Sequence, residues 1–99
     1  MYKYVWTEGG VEWVWNAEKD AHNRRKHGLP LSIAEVALCD PLALSQPDPH
    51  PDGDRWNTLA VVEGRTLFIV HTWPDEAAPG RIISVREATR REKKAYEDG

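Results

Sequence analysis

Apolar and polar residues alternate at both ends of the chain's first sixteen positions. Tyr2, Tyr4 and Trp6 share one face of a predicted strand, and Val11, Trp13 and Trp15 one face of a second. Thr7-Glu8-Gly9-Gly10 lies between them and suits a hairpin turn. The period then changes. Asn16 reads as an N-cap to a helix over 17–27, with Glu18 and Asp20 early and Arg24, Arg25, Lys26 and His27 late, as the helix dipole favours. Gly28 takes the C′ position and Pro30 blocks continuation. Ser32 and Glu35 suggest a capping box on a shorter helix, 33–39, ended by Asp40-Pro41. Leu42 to Ser45 suits a short strand, and Gln46 to Asp54, with three prolines and three aspartates, a surface loop. The strongest hairpin signal is 56–62 and 66–73 around Glu63-Gly64-Arg65. Pro74 to Gly80 reads as a loop, 81–86 as another strand, and Thr89 with Glu92 as the capping box of a last helix. Strands and helices are segregated, which predicts an α+β domain with an antiparallel sheet and an N-terminal β-hairpin.

Strand alternation sorts the late residues by face. Arg81, Ile83 and Val85 are expected on one face and Ile82, Ser84 and Arg86 on the other, so Ser84 and Arg86 project together. In the preceding strand Thr66, Phe68, Val70 and Thr72 oppose Leu67, Ile69, His71 and Trp73. His71 thus sits in an apolar strand near its C-terminal end.

At 99 residues the chain is one domain, 1–99, with a thin core to which five tryptophans contribute. The single cysteine, Cys39, excludes an internal disulfide framework and is expected as a buried, inert thiol. The first residues lack the apolar stretch of a signal peptide. No apolar run approaches the roughly twenty residues of a membrane span. The cytoplasm is the expected location.

The net charge of −3 does not favour nucleic acid, but the distribution does. Of thirteen Lys and Arg, three form Arg24-Arg25-Lys26 and six lie between Arg81 and Lys94. Only Arg55 and Arg65 occur from Gly28 to Gly80, against eight acidic residues. Such asymmetry can give an acidic protein a local positive surface.

Cysteine and histidine spacing excludes a zinc pattern, and no phosphate-binding glycine motif occurs. Asp48, Asp52 and Asp54 have the wrong spacing for a calcium loop and are interrupted by prolines. The basic residues remain. RNA carries its own nucleophile, the 2′-hydroxyl, so a protein that cuts it must align that group, stabilise phosphate charge and move two protons. Arginine suits the phosphate, and a near-neutral histidine or a carboxylate held by arginines suits the protons. No metal or other cofactor is required. Each residue also has a structural reading. Arg24 to His27 can serve the helix dipole alone, Glu92 can be a cap, His71 a satisfied core histidine, and Arg90 to Lys94 a solvated face. Arg81 and Arg86 want acidic partners or a phosphate, because an unpaired buried arginine is costly. On pattern alone a nuclease and a basic partner-binding module stand level.

Trp13 before Asn16-Ala17-Glu18-Lys19, then Asn23-Arg24-Arg25-Lys26-His27-Gly28, Asp40-Pro41-Leu42-Ala43, Asp54-Arg55-Trp56, Val70-His71-Thr72 and Arg81-Ile82-Ile83-Ser84-Val85-Arg86-Glu87-Ala88-Thr89-Arg90-Arg91-Glu92 follow in order. In these blocks, across about residues 11–97, the chain resembles the BrnT family, the toxins of BrnT–BrnA type II toxin–antitoxin systems. The resemblance implies a RelE-like fold and a metal-independent RNA endonuclease that arrests translation and growth. It implies a BrnA-like antitoxin partner with a ribbon-helix-helix part, and contact with DNA only through that complex. By the same resemblance Arg81, Arg86, His71, Glu92 and Ser84 are candidate catalytic positions. Arg81 and Arg86 would bind the scissile phosphate, and His71 or Glu92 would move protons. Lys26, His27, Arg55, Arg65 and Arg91 would bind RNA. Residues 1–10 stand outside the resemblance as an N-terminal extension. The alternative is a non-catalytic module that binds the antitoxin and assists operon repression.

Overall fold

A computed structural model of the chain describes residues 2–6 and 12–99. The elements are β1 (Tyr2–Trp6), β2 (Glu12–Asn16), α1 (Ala17–His27), α2 (Ile33–Ala37), β3 (Leu44–Pro47), β4 (Trp56–Val62), β5 (Arg65–His71), β6 (Gly80–Glu87) and α3 (Arg90–Asp98). Strands β2 to β6 form a sheet in the order β2-β6-β5-β4-β3, and β1 runs antiparallel beside β2. The predicted turn at 7–10, with Val11, lies outside the described residues.

The sheet is mixed, not antiparallel as predicted, because β2 pairs parallel to β6. The cause is connectivity. Helix α1 turns the chain back after β2, and the alternating meander β3-β4-β5-β6 then returns pointing the same way as β2. The β2–β6 pairing extends only from Trp13↔Gly80 to Trp15↔Ile82. Close approach at its start depends on Gly80, which opens β6 rather than ending a loop. A Cβ there would collide with the Trp13 indole and lie 2.9 Å from Pro74 Cδ.

Past Ile82 the free edge of β6 is met by α1 through one side chain. Asn23 Nδ2 donates to the Leu29 and Val85 carbonyls, each at 2.8 Å, and Asn23 Oδ1 accepts from Val85 N at 3.1 Å. A buried asparagine thus imitates a neighbouring strand, satisfying edge groups that would otherwise be costly. Helix α1 has no apolar stripe, and Asn23 is its buried residue. Its ends match expectation: Asn16 Oδ1 accepts from Glu18 N and Lys19 N, and Gly28 adopts φ 72°.

The core lies on the sheet face that carries Trp13, Trp15, Leu67, Ile69, Ile82 and Val85, covered by Leu29, Leu31 and α2. Helix α2 is shorter than predicted and lacks the expected capping box. Ser32 is already helical (φ −60°, ψ −23°), and Pro30, Leu31 and Ser32 carbonyls take the N–H groups of Ile33, Ala34 and Glu35. With backbone acceptors in place, no side-chain cap is needed. Ala34 and Ala37 face inward, so Val36 and Cys39, three apart, face outward. Cys39 is exposed, not buried as expected, and its Sγ lies 3.3 Å from the Glu35 carbonyl.

The β4–β5 hairpin closes with Glu63 (φ 50°) and Gly64 (φ 78°), a pair of left-handed residues suited to the strand twist. Strand β3 begins at Leu44, two residues later than predicted, and takes in Gln46 and Pro47. Pro47 is tolerated there because β3 is an edge strand. Helix α3 lies on the opposite face from the core. It carries the predicted capping box of Thr89 and Glu92, and Tyr96 reaches Asp40 Oδ2 at 2.6 Å. Among the described residues no helix is long and apolar enough to cross a membrane.

Candidate active site

A bulge in β6 decides which side chains meet. Val70 pairs with Ser84, but the next residue, His71, pairs with Ile82, leaving Ile83 as the extra residue. Simple alternation therefore fails. Ile82 and Val85 both point into the core, and Arg81, Ser84 and Arg86 share the other face. The predicted partnership of Ser84 and Arg86 holds, Arg81 joins them, and Ile82 moves to the core face.

Arg86 is the most constrained of these. Its guanidinium lies 4.1 Å over the Phe68 ring, the cross-strand neighbour. Nη1 and Nη2 donate to the two carboxylate oxygens of Glu92 at 2.7 and 2.9 Å, and Nη1 also donates to the Glu87 carbonyl at 3.1 Å. Arg86 Nε–H and one Nη2–H remain free of these bonds. The hydrogen bonds from Arg86 hold the Glu92 carboxyl down at about 2, against burial, with Thr89 N assisting. Glu92 is therefore a permanent anion at neutral pH and a weak proton acceptor. Its bond to Arg86 in turn raises the arginine above its ordinary value.

His27 closes α1 near Arg86. Together with Lys19, His22, Asn23, Lys26, Ile83 and Ser84 it lines a cavity of about 260 Å³. Burial first, and then the charges of Lys26, Arg86 and His22, hold His27 below the ordinary histidine value. A half-buried imidazole among cations is thus mainly neutral near pH 7 and able to accept a proton.

His71 is placed differently. It is wholly buried on the core face, with Nε2 2.6 Å from Thr58 Oγ1 and Nδ1 2.9 Å from the Thr72 carbonyl. If Nδ1 donates to Thr72, Nε2 accepts from Thr58, whose hydroxyl also meets Ser45 Oγ at 2.7 Å. Burial lowers its pKa. The sheet itself separates His71 from Arg86 and Ser84.

The other sequence-derived candidates divide between the two ends of the sheet. Arg65 forms a bond to the Glu87 carboxylate beside Arg86, and Arg91 lines a groove with Phe68 and Glu92. Arg81 and Arg55 lie at the far end, where Arg81 pairs with Asp54 at 3.6 Å and Arg55 Nε is buried without a partner. Arg81 and Arg86 lie five positions apart along the strand, roughly 15 Å, too far for both to hold one phosphate. Sequence reasoning passed over Phe68, Lys19 and the anchoring role of Asn23. A signal for the last was present: a helix without an apolar stripe must be held by something polar. Among the described residues no three His, Cys, Asp or Glu side chains gather as metal ligands.

This face joins a bidentate Arg–Glu pair, a neutral histidine among cations and a serine, a set suited to a phosphodiester. The class it fits is a small basic-faced toxin that acts on nucleic acid. A family model described as the ribonuclease toxin, BrnT, of type II toxin-antitoxin systems matches residues 15–92. The chain belongs to the BrnT toxin family. No curated protein matches it significantly.

Proposed function

We propose that this chain is an endoribonuclease that cuts RNA by attack of its own 2′-hydroxyl, without a metal, on the face around Arg86. The reading treats the sheet and its helices as the RelE-like arrangement the family implies. The carrying observation is the proximity of His27, its pKa lowered by burial and by neighbouring cations, to the anchored Arg86. His27 takes the proton from the 2′-hydroxyl. The 2′-oxygen bonds to phosphorus, the bond to the 5′-oxygen breaks, and Lys26 protonates that leaving oxygen. The free N–H groups of Arg86, with Ser84, bind the phosphate oxygens as charge builds. Glu92 positions Arg86 rather than moving protons. His71 stays in the core and takes no part. Lys26, Arg65 and Arg91 hold the RNA backbone nearby, and Arg81 and Arg55 meet the RNA further along.

Products would carry 2′,3′-cyclic phosphate and 5′-hydroxyl ends. Purified chain incubated with RNA in EDTA should yield such ends, and Arg86→Ala should abolish them. No cleavage in that assay, with no growth arrest on expression, would contradict the reading. The toxin would act in the cytoplasm, and a BrnA-like ribbon-helix-helix antitoxin would cover the Arg86 face and carry any DNA contact. A second reading, a non-catalytic module assisting repression with that antitoxin, draws on the pairing of Arg81 and Arg86 with Asp54 and Glu92. Harmless expression of the chain alone would favour it.

A further inference from the structure

We infer that the cleft at the Arg81 end of the sheet is a base-reading subsite. It holds one unpaired nucleobase, guanine in preference to the other three, while Arg86 holds the scissile phosphate. The inference rests on the ribonuclease reading and adds a specificity element to it.

The cleft has a volume of about 550 Å³ and is lined by Val14, Asp54, Trp56, Trp73 and Arg81 among others. That volume accommodates a nucleobase with room for its sugar. Trp73, two residues past the end of β5, is 43 % exposed. Its described aromatic neighbours meet it at an angle: His71 at 87°, Trp56 at 65° and Trp13 at 54°. None of them stacks parallel on the indole. The ring is nonetheless held by packing against these three neighbours, and His71 beneath it is itself doubly hydrogen-bonded. A rigid, half-exposed indole is a ready stacking platform for a base.

An exposed tryptophan alone is ordinary. What distinguishes this one is the polar pair beside it. Asp54 and Arg81 lie 3.6 Å apart with side chains 49 % and 39 % exposed, so both keep unused hydrogen-bonding positions. The backbone of Arg81 is fixed by two bonds to Thr72: Thr72 N donates to the Arg81 carbonyl at 2.9 Å, and Arg81 N donates to Thr72 Oγ1 at 2.8 Å. A carboxylate accepts and a guanidinium only donates. Guanine presents both complements, N1–H and the 2-amino group for Asp54, and O6 with N7 for Arg81. Adenine and cytosine give the carboxylate only an amino group, and uracil only one ring N–H.

The β6 bulge puts Arg81 on the same face as Ser84 and Arg86, roughly 15 Å along the strand. A single RNA strand following β6 reaches both. This gives the two arginines separate tasks on one substrate.

The test uses 2′-O-methyl oligouridines carrying one guanine or one inosine, which bind but lack the nucleophile. Affinity is read by fluorescence anisotropy for the wild-type chain, Trp73→Ala, Trp73→Phe and Asp54→Asn. The wild-type chain should bind the guanine oligomer about tenfold tighter than all-uridine, and Trp73→Ala should lose about tenfold in affinity. Trp73→Phe should retain most of it. Asp54→Asn, at an exposed position, should erase the preference for guanine over inosine. Arg86→Ala should lose cleavage yet keep the guanine preference. Equal binding of guanine and uridine oligomers by the wild-type chain overturns the inference. So does cleavage whose base preference is unchanged in both Trp73→Ala and Asp54→Asn, and that outcome leaves the ribonuclease reading standing. Loss of antitoxin affinity alone in Trp73→Ala also overturns it and assigns the cleft to the protein partner. A wild-type chain that neither binds nor cleaves RNA overturns both readings together.

Discussion

On the core face of the sheet His71 has both ring nitrogens bonded and no exposure. At the end of α1 His27 is half-buried, shares a cavity with Lys26 and Ser84, and sits in the field of Arg86. Burial lowers both histidines, but only at His27 do neighbouring cations add to it. A lowered pKa does not mark chemistry by itself. His71 is sealed in the core, whereas His27 is open to solvent and lies in the field of Arg86, the arginine proposed to bind the phosphate.

The largest effect should come from Arg86→Ala. RNA cleavage should fall about 10²–10³-fold, the scale of losing one charge-stabilising donor. The same change removes a cation that depresses His27, so any residual pH–rate curve should shift to higher pH. In the wild-type chain the rate should rise with pH as His27 deprotonates, with its midpoint below the ordinary 6.5. An unshifted curve in Arg86→Ala would break the link between the two residues.

Asn23→Ala should destabilise the fold by roughly 3 kcal/mol, because it leaves the edge groups of Val85 and the Leu29 carbonyl unpaired. Chemical denaturation measures this directly. Activity should fall with it, since α1 carries His27.

The pH dependence of stability isolates His71. Its folded value lies below the ordinary 6.5, so the unfolded chain takes up the proton first as pH falls. The stability is full above about 6.5 and is lost as pH falls through the window down to the folded value, at up to ~1.4 kcal/mol per pH unit. His71→Gln should flatten that slope, and His27→Gln should change it less because His27 is more exposed. A slope unchanged in His71→Gln would contradict its placement in the core. Smallest of all, Arg24→Ala should change stability by less than about 0.5 kcal/mol, because its pair with Asp20 is solvent-exposed.

Local signals were legible where one residue's chemistry decides the structure. Asn16, Gly28 and Thr89 with Glu92 marked helix ends because caps satisfy backbone groups locally. The β4–β5 hairpin followed from its turn and alternation. What stayed hidden depends on partners distant in sequence. The parallel β2–β6 pairing joins residues more than sixty positions apart, and Asn23 reveals its role only against Val85. The β6 bulge leaves no mark in the alternation of Arg81 to Arg86, yet it moves Ile82 inward and brings Arg81 to the face of Arg86. The pairing of Ser84 with Arg86 was readable because both lie beyond the bulge. The lowered pKa of His27 was not, because the cations around it come from α1 and β6 together.

The most direct test is the single-turnover cleavage rate of one RNA in EDTA by His27→Gln and His71→Gln, each corrected for its folded fraction. Base catalysis by His27 predicts a loss of about 10²-fold for His27→Gln and a near wild-type rate for His71→Gln. The reverse, a silent His27→Gln and an inactive but folded His71→Gln, would contradict it.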